Sequence, residues 1–240
     1  MSKLILANWK SNPKTLTEAV RLAKGSDAKN VVIAPSHPHL ERVRRVLKHA
    51  RLASQDVSSK DGGPYTGEVS PSQLKNLGVR YVIVGHSERR RLGETDELIS
   101  KKVKAAFAAG LKVVLCVGEN TSTRRKGIAA SKRFIAIQLK KDLTGIRKQE
   151  LGSRNLIVAY EPVWAIGTGK SDKPKDSAQM ITHIKKLLTS RFQILDSRVL
   201  YGGSVTSKNA RSFLSHPEID GVLVGGASLK VKSFKAIIRS

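Results

Sequence analysis

Residues 156–171 read LIVAYEPVWAIGTGKS. A short apolar run meets one carboxylate, then a proline, then a loop punctuated by two glycines. What kind of phosphate loop this is decides what kind of fold to look for. A nucleotide-binding P-loop ends in the same GKS, but its first glycine stands five residues before its second. That position is Trp164 here. A dinucleotide fingerprint fails as well, because Gly167 and Gly169 lack a third glycine at the required offset. What remains is a strand that ends on Glu161 and runs into a glycine loop.

Working outward, the same kind of apolar run recurs along the chain. The runs are Leu4–Asn8, Val31–Ala34, Leu52–Gln55, Tyr81–Val84, Val113–Val117, Leu156–Tyr160, Val199–Tyr201 and Gly221–Val224. Most are rich in Val, Ile and Leu without polar alternation, as expected of parallel strands covered on both faces. Between them apolar positions recur three or four apart, as in Leu40-Val43-Val46-Leu47, Val103-Ala106-Phe107 and Met180-Ile184-Leu187-Leu188, which predicts amphipathic helices. Eight such units predict a closed (β/α)8 TIM barrel, a size this fold reaches as one domain, here residues 1–240. The catalytic groups of such a barrel lie just after its strands. At those places stand Asn8 and Lys10, His86 and Glu88, Glu161, Gly202-Gly203-Ser204, and Gly225-Gly226. Any one of them has a bland explanation as a solvated lysine, a structural histidine or a glycine turn. Five on one rim are hard to ascribe to chance.

Composition narrows the alternatives. The 44 Lys and Arg against 19 Asp and Glu give a formal net charge of +25, a balance that favours anionic partners. The cations are scattered over nearly every helix-like stretch and aromatics make up 5%, too few for base-stacking platforms, so nucleic acid is not the expected partner. No run approaches the roughly 18 apolar residues of a membrane helix, and the first residues do not form a signal peptide. A cytoplasmic enzyme is expected. The single cysteine, Cys116, lies in an apolar run and reads as a buried thiol. The six histidines are dispersed, and the close pair His37 and His39 flanks a proline without a carboxylate or cysteine cluster. Neither a metal nor a cofactor is expected.

The segments Asn8-x-Lys10, Val84-Gly-His-Ser-Glu-Arg-Arg90, Tyr160-Glu-Pro-Val-Trp-Ala-Ile-Gly-Thr-Gly-Lys170, Tyr201-Gly-Gly-Ser-Val205 and Leu223-Val-Gly-Gly-Ala-Ser228 resemble, in order, the signature segments of the triosephosphate isomerase family. The likeness runs from Leu6 to Leu229, and Thr66-Gly67-Glu68 and Glu94-Thr-Asp-Glu97 agree with it. The resemblance implies interconversion of dihydroxyacetone phosphate and D-glyceraldehyde 3-phosphate through an enediolate. It implies Glu161 as the base that moves the proton, with residues 162–173 as a lid over it. Asn8, Lys10 and His86 would face the developing negative oxygen. Gly167, Ser204, Gly225 and Gly226 would hold the phosphate through backbone amides. By the same likeness Glu88 orients Lys10 or His86, Glu119 is scaffold, and Arg89 pairs with a carboxylate at a subunit contact. The loop around Thr66 would insert beside Asn8, Lys10 and Ser11 of a second copy, making a homodimer. Ser11 stands where larger apolar residues are common in the family, which reduces the apolar contact there.

Two other readings stay open on the residues: a barrel enzyme for a different sugar phosphate, and a non-catalytic basic protein that binds nucleic acid or a surface. The joint presence of Lys10, His86 and Glu161 argues against both.

Overall fold

The structure, a computed structural model, describes residues 2–146, 155–165 and 172–240. Eight parallel strands close in sequence order into a barrel: β1 (Leu4–Asn8), β2 (Val31–Ala34), β3 (Arg51–Ser54), β4 (Tyr81–Val84), β5 (Lys112–Val117), β6 (Leu156–Tyr160), β7 (Arg198–Tyr201) and β8 (Gly221–Val224). Closure is made where β1 pairs with β8, Leu4 opposite Gly221 and Ala7 opposite Val224. The two backbones approach so closely there that a Cβ on Gly221 would lie 1.9 Å from the Leu4 carbonyl oxygen.

Alternate strand residues point to two different cores, as the pleat requires. Leu6, Val32, Ile83, Val114, Ala159 and Leu200 fill the barrel interior, with Cys116 buried among them. The other parity packs outward against the helices, Val82, Val113 and Val158 meeting Ile99, Ile135 and Ile184. The helices start where local chemistry satisfies their free N–H groups. Thr15 caps the helix Leu16–Ser26 through the Glu18 N–H, and Ser70 forms a reciprocal capping box with Gln73. Thr95 caps the helix Asp96–Ala108, and Pro174 opens the helix Pro174–Phe192 at a position that needs no N–H.

The expected elements are all present, with small shifts at their ends. The third strand spans Arg51–Ser54 rather than 52–55, and Gln55, just past its end, donates its side-chain amide to the carbonyls of Lys10 (2.8 Å) and Ala34 (2.9 Å). The first helix starts after Thr15, which serves as its cap, and continues to Ser26. With all strands parallel, every strand's C-terminal end lies on one rim, and that rim carries Asn8, His86, Glu161 and the glycine pairs.

Candidate active site

Glu161 follows the last residue of β6 and is buried, with 2% of its surface exposed. Its backbone N–H donates to the Val117 carbonyl (2.8 Å), so the ladder between β5 and β6 runs one residue further and aims the side chain over the barrel mouth. This approach depends on Gly118, where a Cβ would lie 1.6 Å from the Glu161 carbonyl oxygen. One carboxylate oxygen, Oε2, accepts the Ser87 N–H at 2.9 Å. The other, Oε1, has no aligned hydrogen-bond donor among the described residues, although His86 Nε2 lies 3.0 Å away. Burial opposes a charge on Glu161, yet His86, the Ser87 N–H and Lys10 outweigh it and hold the carboxyl below its usual range.

His86 caps the short helix Ser87–Arg91, its Nδ1 accepting the Glu88 N–H at 3.2 Å. An imidazole that accepts at Nδ1 carries its proton on Nε2, the nitrogen turned to Glu161. Burial disfavours a charge on this ring, while the Glu161 carboxylate beside it pulls its pKa above the ordinary imidazole value. Glu88 serves both neighbours: its backbone holds His86, and its Oε1 lies 2.5 Å from Lys10 Nζ.

Lys10 has φ of 54°, a left-handed conformation that costs a non-glycine residue roughly 1 kcal/mol. Two bonds hold it there. Its N–H donates to Asn8 Oδ1 (3.0 Å) and its carbonyl accepts from Gln55 (2.8 Å). Since Asn8 Oδ1 is committed to Lys10, the Asn8 amide N–H groups are what it can offer to a ligand. Backbone strain held by specific bonds is a mark of functional sites.

Asn8, Lys10, His86 and Glu161 line one cavity of about 220 Å³, whose far wall is Ser204, Gly225 and Gly226. Gly226 starts a single turn of 3-10 helix, Gly226–Leu229, and open space lies where its side chain would be. Of the expected site residues the structure thus brings seven to one cavity. Gly167 lies outside the described residues. The cavity opens beside a second one of about 320 Å³, lined by Asn8, Lys10, Gln55, Gly67, Glu68 and Leu92.

Several supporting groups escape a reading of the sequence. Gln55, Ser87 and Gly118 act through an amide, a backbone N–H and an absent side chain, none of which leaves a motif. Glu119, expected as scaffold, is fully buried and accepts from the Tyr160 hydroxyl (3.1 Å) and the Trp164 indole (3.2 Å). Burial raises its pKa above the usual carboxylate value. Arg124 joins the two flanks of the glycine loop, stacked 5.2 Å from the Trp164 ring and 3.5 Å from Asp172. Asp172 donates its N–H to the Tyr201 hydroxyl (3.2 Å). Arg89 finds its carboxylates in its own chain, Asp56 at 3.0 Å and Glu94 at 2.8 Å. His37 and His39 are structural, within reach of Ser54 Oγ (2.9 Å) and the Pro13 carbonyl (3.1 Å). Burial pushes the Cys116 thiol far up, which suits a core residue and not a nucleophile.

Comparison with known proteins fits this geometry. The triosephosphate isomerase family model matches residues 3–240. The triosephosphate isomerase of Carboxydothermus hydrogenoformans is 44% identical, across 98% of this chain and 97% of the relative. That of Thermus thermophilus is also 44% identical, with 98% and 97% covered, and that of Dictyoglomus thermophilum is 41% identical, with 99% of both covered.

Proposed function

Because this chain belongs to the triosephosphate isomerase family, we propose that Glu161 is its proton-shuttling base and that Asn8, Lys10 and His86 stabilise the enediolate. The protein is an isomerase that interconverts the triose phosphates. The reaction moves one proton between adjacent carbons. Glu161 takes it from one carbon as the C–H electrons form the enediolate, then returns it to the neighbouring carbon, while the hydroxyl proton passes from one substrate oxygen to the other.

The observation that carries this reading is the division of labour within the Glu161 carboxylate. Ser87 fixes Oε2, while Oε1, which has no aligned donor among the described residues, faces His86 Nε2 at 3.0 Å, a pair that a substrate can part. A base needs one oxygen to be held and one to be available. His86 Nε2–H, Lys10 Nζ and the Asn8 amide converge on the same space from the opposite side, where negative charge on oxygen develops. Losing one such preorganised donor costs about 10²–10³ in rate. The Ser204 amide after β7, with those of Gly225 and Gly226 at the start of the turn after β8, suits the phosphate. Gly167 completes this set by resemblance. A substrate seated between Glu161 and His86 would separate the pair and remove the pull that raises the imidazole, leaving a neutral donor for the reaction.

The whole chain, 1–240, is read as one catalytic barrel working in the cytoplasm, since a phosphorylated triose does not cross membranes unaided. Among the described residues no helix is long and apolar enough to span a membrane. The assembly is read as a homodimer. The loop 58–70 is closed at its base by the Ser58 N–H to the Val69 carbonyl (2.9 Å), and it presents an exposed Tyr65. The cavity beside Lys10 is the receptor this reading assigns to the partner's loop.

Replacing Glu161 by Gln tests the assignment. Turnover of dihydroxyacetone phosphate in a coupled assay is expected to collapse, while a phosphate-bearing inhibitor still binds within about tenfold. Lys10→Met and His86→Ala also lose activity, by factors that do not multiply, since all three groups act on one transition state. Near-normal turnover in Glu161→Gln would sink the assignment.

A further inference from the structure

At the end of the barrel opposite the active site, a cavity of about 480 Å³ opens between β3, β4 and β5. Arg44, Lys48, Arg51, Arg80 and Lys112 line it, and no carboxylate does so among the described residues. None of the five forms an ion pair among the described residues, whereas two cations nearer the catalytic rim, the buried Lys102 and the half-buried Arg90, are each matched to two carboxylates. Asp27, an acid bonded to this stretch of chain, has both oxygens committed to the backbone N–H groups of Lys48, His49 and Ala50 (2.9, 2.9 and 2.6 Å).

Placement by the fold is specific. Arg51 and Lys112 are the first residues of β3 and β5, and Arg80 immediately precedes β4. The ladder sets them side by side, the Arg80 N–H donating to the Leu52 carbonyl and the Lys112 N–H to the Arg80 carbonyl, each at 2.9 Å. Arg51 donates to the Tyr81 hydroxyl (3.2 Å), and Lys112 Nζ lies 5.8 Å from the centre of the same ring. Arg44 lies over Gly78, where a Cβ would come within 2.9 Å of its Nε. The C-terminal end of the helix Leu40–Val46 explains a preference for cations at Arg44 and Lys48. It does not explain Arg51, Arg80 and Lys112, which stand at strand starts. Five like charges line one concavity, and a concave wall focuses their field.

We propose that this cavity binds a small oligophosphate anion, a ligand with two or more phosphoryl groups. The volume lies within the range of small-molecule sites, roughly 300–1,000 Å³. Guanidinium forks and ammonium groups match phosphate oxygens. The one aromatic ring in the wall, Tyr81, is engaged by Lys112 and Arg51 and offers no face for a base, which favours a small anion over a nucleic acid strand.

The probe is inorganic tripolyphosphate, titrated calorimetrically into the wild-type protein, into Arg51→Ser/Arg80→Ser/Lys112→Ser, and into the charge-matched control Lys140→Ser/Lys232→Ser/Lys235→Ser. One saturable site per chain outside the catalytic cavity is expected, identified as binding that persists when a triose phosphate analogue fills the active site. Its affinity falls at least tenfold in the first variant and less than twofold in the control, while kcat/KM without tripolyphosphate stays within twofold in both. Should the triple variant fail to fold, Arg80→Gln and Lys112→Gln singly are each expected to lose at least threefold. Equal losses in variant and control would show a response to net charge alone and overturn the proposal. So would the absence of saturable binding, or a single-stranded oligonucleotide that binds through the same residues more tightly at equal phosphate concentration.

Discussion

Glu161 is kept ionised by neighbours that overcome its burial, and His86 stands first among them. A base works only when deprotonated. If Glu161 is the base, its own acid limb in kcat/KM is therefore expected below 4.5, the usual glutamate value, and a limb at higher pH belongs to the raised His86 imidazole. Replacing His86 by Gln keeps a donor and removes the charge that favours the carboxylate. Burial then dominates, and the acid limb of the surviving activity moves to higher pH. A limb that stays in place would show that His86 does not set the state of Glu161. Legibility at this scale depended on chemistry: Asn8, Lys10, His86 and Glu161 are read from the sequence because reactive side chains at strand ends are few. Ser87 leaves no such mark, because its contribution is a backbone N–H whose target lies 74 residues away.

At the scale of elements, the ends of β5 and β6 and the flanks of the glycine loop carry the site. Alanine at Gly118 would drive a methyl group into the Glu161 backbone, and neither strand has room to retreat inside the closed ladder. Overpacking of this kind is expected to cost about 3 kcal/mol, seen as a lowered Tm, with activity lost even where the chain remains folded. The C-terminal flank of the loop is pinned differently. Tyr201, stacked on Phe213 at 4.0 Å, accepts the Asp172 N–H, and Ser177 donates to Asp172 Oδ2 (2.9 Å). Tyr201→Phe keeps the stack and removes the acceptor. Stability should change by only about 1 kcal/mol, while kcat drops roughly 10- to 100-fold if Asp172, so held, anchors the proposed lid. A kcat within twofold of wild type would show that this bond does not position the loop. Arg124, which touches both flanks, had no signal in the sequence beyond being one arginine among many.

For the molecule as a whole, charge and assembly pull against each other. Two chains of +25 repel, and the repulsion grows as salt is diluted and screening weakens. The surface assigned to the partner offers modest apolar contact: Tyr65 and Leu92 are exposed, and Ser11 adds none. The proposed homodimer is thus expected to dissociate measurably at low ionic strength and low protein concentration, with specific activity falling in parallel, because Lys10 and Asn8 line both the candidate catalytic cavity and the one beside it. Sedimentation across salt and dilution series checks this. A monomer that keeps full activity throughout would refute the assembly and its link to catalysis.

The amino-acid sequence alone determined the strands, the barrel and the chemistry of its rim. Short runs such as Tyr81–Val84 and Gly221–Val224 have no polar face and can be buried only between two layers, and eight of them in alternation with amphipathic helices close in one way. Reactive groups at the ends of those runs share a rim because parallel strands all point the same way. Only the tertiary structure decided what holds those groups in place. The tether of Lys10 to Gln55, the room that Gly118 leaves for Glu161, the Arg124 bridge and the pairing of Arg89 with Asp56 all join residues far apart in the chain. The pattern of nearby residues reports burial and local backbone preference. A contact between distant segments is set by how the closed barrel brings their ends together, and it leaves no mark on either segment by itself.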